Sequence, residues 1–142
     1  MKDYSLLIVD DDEVDRYAIK RLLRSGGIDA PIFEKSDGKA AIEFFREHQA
    51  EAQERQGVVP PILVFLDINM PRMDGFEFLE AFKKLRTEKL FEAIIFLMLT
   101  SSDNPRDQER VADYPFVKGY ISKLPATPAE LLAHIKAYLP VE

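Results

Sequence analysis

The chain has 142 residues, 46% of them hydrophobic and 31% charged, a composition that suits one globular domain with enough apolar mass for a core. Its net charge of −6 excludes the basic stripe of a nucleic-acid binder and suits a protein that holds a cation or meets a basic partner. The absence of cysteine excludes disulfides, thiolate catalysis and zinc–thiolate sites. No apolar run approaches membrane-spanning length and the N-terminus lacks a signal-peptide pattern, so no membrane partner is expected and the expected location is the cytoplasm.

Short apolar runs alternate with amphipathic stretches. The first run, Leu6–Val9, predicts a strand that ends in Asp10-Asp11-Asp12-Glu13. A helix follows, with Val14, Ala18 and Leu22 and the neighbouring Ile19 and Leu23 as its apolar stripe and Gly26-Gly27 as its close. Ala30–Phe33 predicts a second, weaker strand near a sheet edge. Ser36-Asp37 caps a second helix carrying Ala41, Phe44, Phe45 and His48 on one side, and this helix runs out in the polar loop Glu51–Gly57. Ile62–Leu66 is a solidly apolar strand ending in Asp67. A third helix follows Asp74 and buries Phe78, Leu79, Phe82 and Leu85. Of the pairs Phe44/Phe45 and Phe76/Phe78, one ring each is expected at the surface.

Ile94–Leu99 is again apolar throughout and ends in Thr100-Ser101-Ser102. Pro105 opens a short fourth helix that ends near Tyr114-Pro115, with Arg106, Asp107, Glu109 and Arg110 as a solvated face. Val117–Ile121 is a fifth strand of edge type and leads to Lys123. Thr127-Pro128-Ala129-Glu130 is a capping box that opens a fifth helix, whose buried stripe is Leu131, Leu132, Ile135 and Leu139. Fully apolar runs fit strands buried on both faces of a parallel sheet. Five strand–helix alternations predict an α/β fold, a doubly wound five-stranded parallel sheet with five helices. The expectation is a single domain over residues 1–142 with no output domain.

Open sheets of this kind bind ligands beyond the carboxyl ends of their strands. Those ends deliver Asp10 and Asp11, Asp67, Thr100 and Lys123 to one edge. Carboxylates packed together repel one another unless a cation sits among them, and an all-oxygen donor set selects a hard ion, Mg²⁺ or Mn²⁺. A carboxylate can attack phosphorus to give an aspartyl phosphate, while a metal, an ammonium and a hydroxyl balance the anionic charge of the phosphoryl group. Asp12, Glu13 and Asp15 need no such role, because acids in a first helical turn complement the macrodipole.

The chain resembles the receiver domains of two-component response regulators along essentially its whole length. Leu7-Ile8-Val9-Asp10-Asp11-Asp12 is similar to the family's first-strand acidic pair, and Phe65 through Gly75, read FLDINMPRMDG, to its phosphoacceptor loop. Leu97-Met98-Leu99-Thr100-Ser101 and Gly119-Tyr120-Ile121-Ser122-Lys123 follow in the family's order. The resemblance implies a flavodoxin-like receiver fold with strand order 2-1-3-4-5, taken from the stand-alone chemotaxis receiver. It implies phosphorylation of Asp67 and Mg²⁺ held by Asp11, Asp67 and the Asn69 carbonyl, with Asp10 supporting the ion through water. Thr100 and Lys123 would grip the phosphoryl group, Tyr120 would report it, and Asn69 and Ser102 would tune its hydrolysis. The implied donor is a histidine kinase or phosphotransfer protein and the output is binding to a downstream protein, with a homodimer left open. Such a chain promotes its own phosphorylation and dephosphorylation and is not an enzyme on free substrate. It departs from the family at Lys123-Leu124-Pro125, where the proline usually follows the lysine directly, so a different turn is expected to aim Lys123.

Rival chemistries fit less well. A phosphohydrolase of the haloacid-dehalogenase type needs a second carboxylate two residues beyond the nucleophile, and Asn69 stands there. Acids after the first strand would repel a flavin phosphate, and neither acidic stretch has the glycine and distal glutamate of a calcium loop. The remaining alternative is a phosphorylation-independent, receiver-like binding module, which would be marked by a missing acid, hydroxyl or lysine; none is missing.

Overall fold

Ser5–Val9 (β1) and Ile62–Asp67 (β3) consist mostly of large apolar side chains, which suit a strand with apolar groups on both faces. A computed structural model describes residues 5–54, 62–70, 72–85, 95–100, 105–122 and 128–137. It adds strands Ile32–Lys35 (β2), Ile95–Thr100 (β4) and Val117–Ser122 (β5), all paired in parallel in the order β2-β1-β3-β4-β5. The helices among the described residues are Glu13–Ser25 (α1), Gly38–Glu54 (α2), Gly75–Leu85 (α3), Pro105–Val111 (α4) and Pro128–Lys136 (α5). None is long and apolar enough to cross a membrane.

The strand period of two divides the core between the two faces of the sheet. Leu7, Val9, Val64 and Leu66 point to one side, where Phe45 of α2 and Phe78 and Phe82 of α3 cover them. Leu6, Ile8, Leu63 and Phe65 point to the other, against Ile19 and Leu23 of α1 and Ile135 of α5. The first side is an aromatic cluster: Phe45 meets Phe82 edge-on with centroids 4.9 Å apart, and Phe82 in turn lies 5.5 Å from Phe116. Such offset and edge contacts add to the burial of the rings themselves.

Several details differ from the sequence reading. β2 lies two residues later than Ala30–Phe33, because its register is set by pairing Leu6 through Val9 with Ile32 through Lys35. As an edge strand it needs no solid apolar run, and its residues are half-buried or exposed. The buried stripe of α1 is Ile19 and Leu23; Val14 is 73% exposed and Ala18 is also exposed. At about 3.6 residues per turn, Val14 falls on the opposite side of the helix from Leu23. α2 extends to Glu54, into the stretch read as loop.

Phe44, Phe45, Phe76 and Phe78 are all buried, so neither pair leaves a ring at the surface. Arg106, Glu109 and Arg110 are exposed, as a solvated face requires, and the guanidinium of Arg110 also lies 3.8 Å from the ring centre of Phe76, a cation–π contact. α4 stops at Val111, and Tyr114 beyond it is buried with its hydroxyl donating to Glu80 at 3.1 Å. Burial, and then the Glu80 carboxylate, push the Tyr114 phenol above its ordinary range. Leu85 is half-buried, as is Leu132 of α5, beside the fully buried Ile135. Thr127 and Leu139 lie outside the described residues, as do the side chains of His48, Leu131 and His134.

Candidate functional site

The sheet register creates the site. Val9 pairs with Leu66, so the next residues on these adjacent strands, Asp10 and Asp67, emerge side by side. Carboxylate oxygens of Asp10, Asp11 and Asp67 all lie within 4.8 Å of one another. Asp10 and Asp67 are buried and Asp11 is exposed, so the cluster opens to solvent on one side.

Asp10 is held from several directions. Its N–H donates to the Lys35 carbonyl at 3.1 Å, continuing the pairing of β1 with β2. Its carbonyl accepts from Arg16 Nη1 at 2.7 Å, and its Oδ1 accepts from the Asp12 N–H at 2.9 Å. Asp12 is exposed and caps α1 by accepting from the Val14 N–H at 2.9 Å, as the macrodipole reading of these acids anticipates.

The loop after Asp67 is fixed by α3. The Gly75 N–H donates to the Ile68 carbonyl at 2.8 Å, and a Cβ on Gly75 would meet the Asp67 carbonyl oxygen at 2.6 Å. Asp74 accepts from the Glu77 N–H at 2.8 Å while Glu77 accepts from the Asp74 N–H at 3.2 Å, a reciprocal cap that starts the helix at Gly75. Arg72 has a left-handed backbone, φ 67°, and reaches Asp37 across 3.4 Å. Asn69, two residues beyond Asp67 in the chain, is exposed.

The neighbouring strands carry the other expected residues partway. Asp67 pairs with Leu99, so the backbone of Thr100 is one step beyond the aspartate on β4. Tyr120 of β5 pairs with Met98 of β4. Ser102, Lys123, Leu124 and Pro125 lie outside the described residues.

The sequence reading missed Arg16 and its partners. Arg16 also donates through Nε to Glu34 at 3.3 Å, and Lys20 donates to the other Glu34 oxygen at 2.9 Å. The available signal was a charge within the stripe of Ile19 and Leu23, since Arg16 lies one turn before Ile19 on the same face. Lys20 foremost, and Arg16 after it, hold the Glu34 carboxyl below its ordinary value of 4.5 against partial burial. A carboxyl depressed in the folded state stabilises the fold above its unfolded value and ceases to do so as pH falls through the folded one. Glu34→Gln is therefore expected to lower the thermal midpoint slightly at neutral pH, with the gap to wild type closing below pH 4.5. The effect is small because the pair is partly solvated; thermal unfolding of both proteins across pH checks it.

The donor set fits a hard cation. Three carboxylates without sulfur or imidazole match the oxygen preference of Mg²⁺ or Mn²⁺, and an ion would remove the repulsion of their shared site. The cluster is thus capable of coordinating a divalent ion. Residues 6–136 match the family model described as response regulator receiver domain.

The chain belongs to this family. This receiver is 32% identical over 107 residues to the probable methanogenesis regulatory protein FilR2 of Methanothrix harundinacea, an alignment covering 75% of the chain and 64% of FilR2. It is 29% identical to the response regulator Rcp1 of Synechocystis over 83% of the chain and 75% of Rcp1. The fold superimposes on a two-component response regulator from Cytophaga hutchinsonii with TM-score 0.77 at 29% identity, covering 97% of this chain and 98% of that one. The receiver spans about half the length of some other curated relatives, such as the regulatory protein PhoP of Bacillus subtilis, at 48%. Its family and its acidic cluster are those of a phosphoacceptor domain in two-component signalling.

Proposed function

We propose that Asp67 is the phosphoacceptor of a Mg²⁺-dependent signalling switch, charged by a histidine kinase or phosphotransfer protein in the cytoplasm. The observation that carries this reading is the meeting of Asp67 with Asp10 and Asp11 at the ends of adjacent parallel strands. In this reading the chain is one receiver domain with the doubly wound five-strand, five-helix arrangement.

Asp11 and Asp67 would hold the ion with the Asn69 carbonyl, and Asp10 would support it through water. When bound, the ion offsets the negative charge of the carboxylates and of the incoming phosphoryl oxygens. One Asp67 oxygen attacks the phosphorus in line; the new O–P bond forms as the phosphohistidine N–P bond breaks. The imidazole leaves with that electron pair and takes up a proton. Thr100 and Lys123 then bind phosphoryl oxygens and Tyr120 follows the β4 end, shifting a two-state equilibrium at α4, β5 and α5. The output is binding to a downstream protein, with homodimerisation as one form of it and no nucleic-acid or membrane partner. Asn69 and Ser102 tune the hydrolysis that resets the switch.

Intact mass after incubation with acetyl phosphate tests this reading. One added phosphoryl group is expected with Mg²⁺ and none with EDTA. Absence of the adduct, together with no structural response to beryllofluoride and Mg²⁺, would instead favour a phosphorylation-independent binding module.

A further inference from the structure

Among the described residues, the cation nearest in sequence to the acidic cluster that also contacts it is Arg16, and no step of the proposed chemistry uses it. Arg16 is well covered for an arginine, with 17% of its side chain exposed. Its guanidinium spans two partners: Nη1 donates to the Asp10 carbonyl at 2.7 Å, and Nε donates to Glu34 at 3.3 Å. Glu34 is itself held by Lys20 at 2.9 Å, so the far end of the bridge is anchored to α1 and β2 together. The opposite side of the Asp10 peptide is fixed by the Lys35 carbonyl, next to Glu34 on the same edge strand.

From this geometry we infer that Arg16 is a positioning residue for the metal site, clamping the Asp10 backbone so that its carboxylate faces Asp11 and Asp67. The inference rests on the proposal that these acids hold the ion. A planar guanidinium can serve a carbonyl and a carboxylate at once in a fixed geometry, which an ammonium on a flexible stem cannot. Groups that orient metal ligands without touching the ion typically change metal affinity by about tenfold or more when removed.

Charge and position predict opposite signs. By Coulomb's law alone, deleting a guanidinium beside a cation site should tighten cation binding. Loss of the clamp should weaken it, because one of the hydrogen bonds that set the Asp10 backbone is then gone and its carboxylate is held less firmly toward the cluster.

The test is Mn²⁺ binding, read by paramagnetic resonance of the free ion, for wild type, Asp11→Asn, Arg16→Met, Arg16→Lys and Glu34→Gln, with circular dichroism as the folding control. Arg16→Met is expected to bind about tenfold more weakly, Arg16→Lys to fall between it and wild type, and Glu34→Gln to weaken in the same direction by less. If Asp11→Asn binds as wild type does, the ion site itself is misassigned and the parent reading fails. If Asp11→Asn loses Mn²⁺ while folded Arg16→Met binds as well as wild type or better, the role of Arg16 is overturned and the ion site stands. Should Arg16→Met fail to fold, Glu34→Gln decides by the same criterion.

Discussion

Asp67→Asn is expected to abolish phosphorylation while raising the stability of the metal-free protein. Asparagine keeps the shape of the side chain but offers no anionic oxygen to attack phosphorus, so no adduct should appear by intact mass under conditions that modify the wild type. The stability gain follows from the same cluster. Asp67 is 9% exposed and shares its site with Asp10 and Asp11, their oxygens within 4.8 Å. At the effective dielectric of such sites, each like-charge pair costs up to a few kcal/mol, less where exposed Asp11 is screened. Removing one charge should therefore stabilise the metal-free fold by about 1–3 kcal/mol. Saturating Mg²⁺ should reverse the order, because a ligand that binds only the folded state stabilises it in proportion to the logarithm of its concentration over Kd. Thermal unfolding with and without Mg²⁺ checks both halves. A variant no more stable than wild type in EDTA would mean that solvent or neighbouring dipoles already neutralise the cluster.

Gly75→Ala is expected to destabilise the fold by about 2–3 kcal/mol, lowering the thermal midpoint by several degrees. Alanine in the first turn of a helix would ordinarily be preferred to glycine by up to about 1 kcal/mol. Here the added Cβ would lie 2.6 Å from the Asp67 carbonyl oxygen and 2.8 Å from the Ile68 Cα. Both obstacles are backbone, so no rotamer change relieves them, and the Gly75 hydrogen bond to the Ile68 carbonyl fixes the helix start against the loop. Either α3 or the loop after Asp67 must move. The variant should for that reason lose phosphorylation rate along with stability, whereas Asp67→Asn separates the two. Denaturant unfolding beside the rate of adduct formation measures this; unchanged stability would show that the helix can withdraw at little cost.

The strands that form the centre of the sheet were legible because burial on both faces demands an apolar run. Ser5–Val9 and Ile62–Asp67 differ from their predicted limits by one residue at one end. The chemistry of the cluster was legible for a related reason. Acids placed directly after an apolar strand must leave the core at the strand's end, and Asp10, Asp11 and Asp67 do so together. The start of the third helix after Asp74 was likewise local and readable.

What local pattern left open was every feature decided by a partner distant in the chain. β2 took its register from β1, so the run Ala30–Phe33 did not mark its limits. α1 turned Ile19 and Leu23 inward and left Val14 in water, because the α/β interface admits one face of a helix whose apolar residues spread over more than one. Arg110 closed over Phe76, and Arg16 joined Asp10 to a glutamate on an edge strand 18 positions away. By itself, then, the sequence determined the α/β class and which acids would gather, because strand burial and strand ends are written in neighbouring residues. Only the tertiary structure decided which helix face is covered and which cation holds Asp10, because a long charged side chain can reach several partners and packing selects among them.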